Sequence, residues 1–111
     1  IAFFDCLHDM GDPEGAARYA YEHMNEGGII ILVEPTASNH PIENFHTIGQ
    51  MYYSFSTMGC IPTSKSQEIG LALGAQAGPK ILKRILLDAG FDNPKVVHKN
   101  ASNMVIEARK V

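Results

Sequence analysis

Phe3-Phe4-Asp5-Cys6-Leu7-His8-Asp9-Met10-Gly11-Asp12-Pro13, with Gly27-Gly28-Ile29-Ile30-Ile31-Leu32-Val33-Glu34-Pro35 after it, decides the fold. Ile1 to Asp5 is a short apolar run ending in a charge. Such a run predicts a strand buried on both faces, with its last residue emerging at the sheet edge. Asp12-Pro13 sets an N-cap before a proline at the first helical position. Ala17, Ala20, Tyr21 and Met24 then recur at helical spacing, so a helix is predicted as far as about Asn25. Ile29 to Val33 is rich in β-branched residues and bounded by Gly-Gly and Glu-Pro, which predicts a central parallel strand. Strand, helix and strand make one βαβ unit of an α/β fold. His8, Asp9 and Glu34 follow the two apolar runs, at the C-terminal ends of strands where parallel sheets keep their ligands.

Working outward, Phe45, Ile48, Tyr52 and Phe55 recur at three- and four-residue steps with Met51 and Met58 beside them, predicting a helix from about Glu43 to Met58. Ser64 and Gln67 fit the capping box of a shorter helix through Leu73. Pro79 opens a further helix with Leu82, Ile85, Leu86 and Ala89 on one face, stopped by Gly90. Lys95 to Lys99 and Asn103 to Arg109 read as strands, and Asn100-Ala101-Ser102 joins them as an antiparallel hairpin. The expected architecture is two parallel strands plus a terminal antiparallel hairpin with flanking helices. It forms one unit over residues 1–111, with an inserted helical segment at about 36–75.

Composition narrows the function classes. A net charge of -3 with only 9 Lys and Arg among 111 residues provides no basic patch for nucleic acid or an anionic membrane surface. The longest apolar run, Ile29 to Val33, is far shorter than the ~20 residues that span a bilayer, so no membrane partner and a cytoplasmic location are expected. Cys6 and Cys60 lack the spacing of a disulfide framework or a zinc site and read as reduced thiols. His40 and His46, with a proline between them, are not at a ligand spacing and are expected to face solvent; no metal is predicted. A first residue of Ile1 rather than Met suggests part of a longer domain.

On these residues the chain resembles, over its whole length, the C-terminal half of a class I S-adenosylmethionine-dependent methyltransferase, from the fourth strand to the end. The order strand, helix, Gly-Gly strand with Glu-Pro, inserted helices, Ala89-Gly90-Phe91 and terminal hairpin is that family's pattern, and it implies half of a Rossmann-like sheet. More narrowly, Cys6 to Asp12 is similar to the His-Asp-Trp-x-Asp segment of small-molecule O-methyltransferases, including bacterial relatives with an N-terminal winged helix. The resemblance implies His8 as catalytic base and Glu34 as the carboxylate that flanks it. It places Phe4, Asp5 and Cys6 beside the S-adenosylmethionine cofactor, and Met51, Tyr52 and Phe55 on the acceptor pocket. A small-molecule hydroxyl substrate and a homodimer are the expected partners.

The chain departs from the family in two places. Met10 stands where plant-type enzymes carry tryptophan, and no glutamate lies near Gln76, where those enzymes supply a second carboxylate. The family's glycine-rich loop and ribose-binding acid have no counterpart among these residues, so tight cofactor binding by this segment alone is not expected. An imidazole with a pKa of about 6.5 suits proton removal from a hydroxyl, and a carboxylate on its other nitrogen fixes the tautomer. Other readings stay open. His8 also fits a strand-end histidine capping a backbone group, Asp9 a structural residue, Asp12 a helix cap, and the Met51, Tyr52, Phe55, Met58 stripe a core face. The whole segment also fits a methyltransferase-like ligand-sensing domain of a transcriptional regulator, or a self-contained α/β module.

Overall fold

The computed structural model describes residues 1–44, 46–75 and 77–111. Strand β1 (Ala2–Phe4) leads through a 3-10 turn at Leu7–Asp9 into helix α1 (Pro13–His23) and strand β2 (Ile29–Pro35). A 3-10 turn at Pro41–Asn44 precedes α2 (Thr47–Phe55), a π turn (Ser56–Cys60) and α3 (Ile61–Lys65). Helix α4 (Pro79–Ala89) and strands β3 (Asp92–Lys99) and β4 (Asn103–Arg109) complete the chain. The strands form one mixed sheet in the order β1-β2-β4-β3. β1 and β2 run parallel, and β4 is antiparallel to both β2 and β3.

The parallel pair needs a crossover, and α1 supplies it. Its first turn is fixed by Asp12, whose Oδ1 accepts from Gly15 N at 2.8 Å. A Cβ on residue 15 would lie 2.0 Å from Asp12 Oδ2, so glycine is what lets the cap close. The far end of α1 is held by Lys110, whose Nζ donates to Tyr21 O at 2.8 Å and Met24 O at 2.9 Å. A cation on these last carbonyls satisfies orphan acceptors and complements the helix dipole. Ala17, Ala20 and Met24 of this helical stretch meet Leu82, Ile85 and Leu86 of α4 over Ile30, Leu32, Met104 and Ile106 of the sheet. Gly90, at φ 111°, ends α4 in the left-handed conformation, and Phe91 folds back to join this core.

The hairpin inserts β4, not β3, beside β2. Alternation explains the choice: Met104, Ile106 and Ala108 are buried and pair with Glu34, Leu32 and Ile30. β3 carries Pro94, Lys95 and Lys99 and two register shifts, which suit an edge strand. β1 differs from the expectation of burial on both faces. It takes the other edge, and Phe3 packs against the core while Phe4 is 68% exposed. Both packed helices lie on one face of the sheet, leaving Ile31, Val33 and Val105 half-buried on the other, in register with Phe4.

The expected helix from Glu43 to Met58 is divided. α2 starts at Thr47, where the Nδ1 of exposed His46 accepts from Gly49 N at 3.0 Å and caps it. The ladder then widens into the π turn ahead of Pro62, which has no N–H to continue it. Met51, Phe55 and Met58 are exposed and stay out of the core, so the stripe is not a core face. Phe45, expected on the same stripe, and Gln76 lie outside the described residues. No helix runs from Ser64 to Leu73, because both supposed capping side chains bond to the segment before α1 instead. Among the described residues no helix is long and apolar enough to cross a membrane.

An open edge strand beside an uncovered apolar face is a template for association. The chain is expected to self-associate in sedimentation velocity, with Phe4→Lys raising the monomer fraction. A monomer at all concentrations, unchanged by the substitution, contradicts this account.

Candidate active site

Glu34 is the last residue of the buried face of β2 and has 1% of its surface exposed. A carboxylate at that depth needs a partner for each oxygen. Oε1 accepts from Leu7 N at 3.1 Å, and Oε2 lies 2.5 Å from His8 Nδ1. Both partners come from the 3-10 turn that follows β1, so two adjacent parallel strands deliver the pair from their C-terminal ends. Leu7 is fully buried and anchors the turn in the core, and His8 beside it is 4% exposed. The candidate base and its flanking carboxylate are therefore in direct contact.

With Nδ1 engaged by Glu34, His8 turns Nε2 toward Asp9, whose Oδ1 is 3.3 Å away. That oxygen is shut off from solvent and lacks a hydrogen-bond donor among the described residues. The thiol of Cys60 completes a cluster in which one donor atom from each of His8, Asp9 and Cys60 lies within 4.8 Å of the others. These side chains open onto a hollow of about 250 Å³ walled also by Asp5, Tyr52 and Phe55. A larger hollow of about 600 Å³ lies between α4 and Leu71, Leu73 and Ala77 and carries Glu14, Lys80 and Arg84 rather than a histidine. Chemistry, not size, picks the smaller one.

The segment His8 to Gly11 is clamped from its other side. Gln67 accepts from Gly11 N through Oε1 at 2.8 Å and donates to Asp9 O through Nε2 at 3.0 Å. Ser64 Oγ donates to Met10 O at 2.9 Å and accepts from Ala72 N at 2.9 Å. A Cβ on Gly11 would meet Gln67 Cβ at 2.5 Å, so the close approach depends on glycine there. The π turn sits between the α2 wall of the hollow and this clamp and ends at Cys60. Cys60 was invisible in the sequence because its neighbours in the cluster lie more than fifty positions away. Its only signal was a half-apolar context before Pro62.

Electrostatics separate the two titrating groups. Burial by itself lowers the His8 pKa, but the hydrogen bond and charge of Glu34 act the other way, with Asp9 and Asp5 adding to them. The net result is a raised pKa. Burial, then the Asp9 carboxylate beside it, pushes the Cys60 thiol up to about 11, so it is protonated at neutral pH and unreactive as a free nucleophile. Burial likewise raises the Cys6 thiol.

The other expected site residues divide. Tyr52 and Phe55 wall the hollow with His8, and Tyr52 also ties α2 to the hairpin by donating to Ser102 O at 2.8 Å. Met51 is exposed and is not part of that wall. Asp5 lies on the rim at φ 47°, its Oδ1 accepting from Asn103 Nδ2 at 2.8 Å. Phe4 is exposed and Cys6 half-buried at the same strand end. Asp12 serves as the cap of α1. Compared with known proteins, the chain matches no family model and no curated sequence.

A proton on His8 is stabilised chiefly by Glu34, so removing that charge lowers its affinity. In chelator-treated protein the His8 ring is expected to titrate by NMR above the ordinary value of about 6.5. Glu34→Gln is expected to bring the midpoint down. An unchanged midpoint in that variant contradicts the assigned contact.

Proposed function

We propose that this chain is the acceptor-side part of an enzyme that transfers a methyl group from S-adenosylmethionine to a small-molecule hydroxyl, with His8 as general base and Glu34 as its positioning partner. One observation carries the reading: a buried His8–Glu34 pair at 2.5 Å, at the C-terminal ends of two parallel strands, beside a hollow lined by Tyr52 and Phe55. The arrangement of parallel strands, inserted helices and terminal hairpin supports it as well.

Glu34 holds the His8 ring in the tautomer with hydrogen on Nδ1, which leaves the Nε2 lone pair for a proton. An acceptor hydroxyl entering the hollow meets Nε2 next to Asp9 and between aromatic walls. His8 takes the hydroxyl proton as the oxygen becomes nucleophilic, and the imidazolium is neutralised by Glu34. Tyr52 and Phe55 contribute alignment of a flat acceptor, which in an in-line displacement is worth as much as the base. The methyl donor supplies an electrophilic carbon on a sulfonium. Phe4, Asp5 and Cys6 fit its rim: an exposed ring and a carboxylate at the C-terminal end of β1, facing away from the packed core. The residues that clamp the rest of such a donor have no counterpart in these 111 positions, so no step is assigned to them.

Testing uses the full-length protein that contains this segment, labelled S-adenosylmethionine and a panel of phenolic acceptors. His8→Ala is expected to lower methyl transfer by about 10²–10⁴-fold, the usual worth of a positioned base. Glu34→Gln is expected to lower kcat with little change in acceptor KM. Undiminished transfer in His8→Ala removes the base from the mechanism. Acceptor binding without transfer in the unaltered protein assigns the hollow to sensing instead.

A further inference from the structure

His8 Nε2 and Asp9 Oδ1 face each other at 3.3 Å. In the neutral ring a hydrogen on Nδ1 toward Glu34 leaves the lone pair on Nε2, and an ionised carboxylate oxygen offers only lone pairs. Two such atoms attract only with a positive charge between them. Asp9 Oδ1 is also shut off from solvent, although the Asp9 side chain is 38% exposed as a whole, and the donor beside this carboxylate other than His8 is the Cys60 thiol. Cys60 brings a thiol to the same point from the π turn.

The geometry points to a binding site for a zinc-type divalent cation formed by His8 Nε2, Asp9 Oδ1 and Cys60 Sγ, with a fourth position open to the hollow. Nitrogen and oxygen ligands each about 2.0–2.1 Å from a tetrahedral zinc stand about 3.3–3.4 Å apart, which is the separation between His8 and Asp9 here. The Cys60 sulfur lies within 4.8 Å of a ring nitrogen of His8 and a carboxylate oxygen of Asp9, so a small side-chain closure completes the face. Nitrogen, oxygen and sulfur together suit a borderline ion such as zinc rather than magnesium or calcium, which take oxygen. Three protein ligands with an open fourth position differ from closed structural zinc sites, which have four, and leave room for a water or other small ligand on the ion. Glu34 supplies the further requirement, a carboxylate on the ligating histidine's other nitrogen. On binding, Cys60 forms the metal–sulfur bond as its thiol proton leaves to solvent.

The site bears on the proposed function as an inhibitory one, since an ion on Nε2 takes the lone pair the base uses. That consequence rests on the methyl-transfer reading, but binding does not. The test therefore reads binding alone, on the metal-free chain, with cobalt(II) as spectroscopic probe and zinc as competitor. The expected result is one ion per chain, a thiolate-to-cobalt charge-transfer band and displacement by zinc. Cys60→Ser should abolish the band and weaken zinc by at least about tenfold, Glu34→Gln should weaken it about 10–100-fold, and Cys6→Ser should leave both unchanged. Far-ultraviolet circular dichroism checks that each variant is folded. Should His8→Ala not fold, X-ray absorption on the zinc-loaded unaltered chain reports sulfur with nitrogen and oxygen in the first shell. The proposal is overturned if the unaltered chain shows no thiolate band, if Cys60→Ser retains it, or if Cys6→Ser loses it equally. In that event a proton, not a metal, fills the gap between His8 and Asp9.

Discussion

Glu34 continues the row of Ile30 and Leu32 on the packed face of β2, so a carboxylate stands where an aliphatic side chain would serve the core better. Breaking such a buried pair by deleting one partner typically costs about 3–5 kcal/mol, because the remaining group keeps its desolvation penalty. The rest of the architecture is arranged around meeting that demand. Leu7 N and His8 Nδ1 reach the two carboxylate oxygens only if β1 lies next to β2 in parallel, and only if the chain turns sharply after Phe4. Asp5 takes the left-handed conformation at that turn, and Leu7 drops into the core to hold it. The crossover through α1 then brings the chain back with β2 alongside.

The same turn is gripped from outside. Ser64 and Gln67 bond to the backbone of Asp9, Met10 and Gly11, which makes the inserted segment a brace for the His8-Asp9 turn rather than a separate cap over it. This ties the walls of the hollow to its floor: a shift of α3 is transmitted to Asp9 and, through it, to the neighbour of His8 Nε2. It also accounts for serine at position 64, fully buried and using its hydroxyl both as donor and as acceptor.

Local signals in the sequence were sufficient for the βαβ unit, for Asp12 as a cap, for Gly90 as a stop and for the terminal hairpin. Each of these is set by residues adjacent in the chain, through periodicity and turn chemistry. The approach of His8 to Glu34 was legible too, since both end apolar runs that must be neighbours if the crossover is short. What could not be read depends on partners far apart in sequence. Ser64 and Gln67 have the spacing of a capping box, yet each makes hydrogen bonds to residues more than fifty positions back. The methionine and aromatic stripe has helical periodicity, but periodicity does not say whether a face meets the core, and here Met51, Phe55 and Met58 do not. The order of β3 and β4 in the sheet was likewise a tertiary choice, made by which strand alternates buried residues.

An imidazole has two nitrogens, and this fold has committed one of them. With Nδ1 bound to Glu34, everything His8 can do depends on what faces Nε2, and the nearest group is an acid rather than open solvent. A carboxylate 3.3 Å from Nε2 narrows the approach of an acceptor oxygen and favours the protonated ring. A fixed acid there is useful when the thing to be held is positive, whether the imidazolium left after proton removal or an ion shared with Cys60. Both uses need the same buried Glu34 to keep the ring from rotating, and both need the Ser64 and Gln67 brace to keep Asp9 in place. The hollow that Tyr52 and Phe55 wall thus surrounds a ring nitrogen whose nearest neighbour is an acid, and a positive charge formed on Nε2 has a carboxylate on either side of the ring.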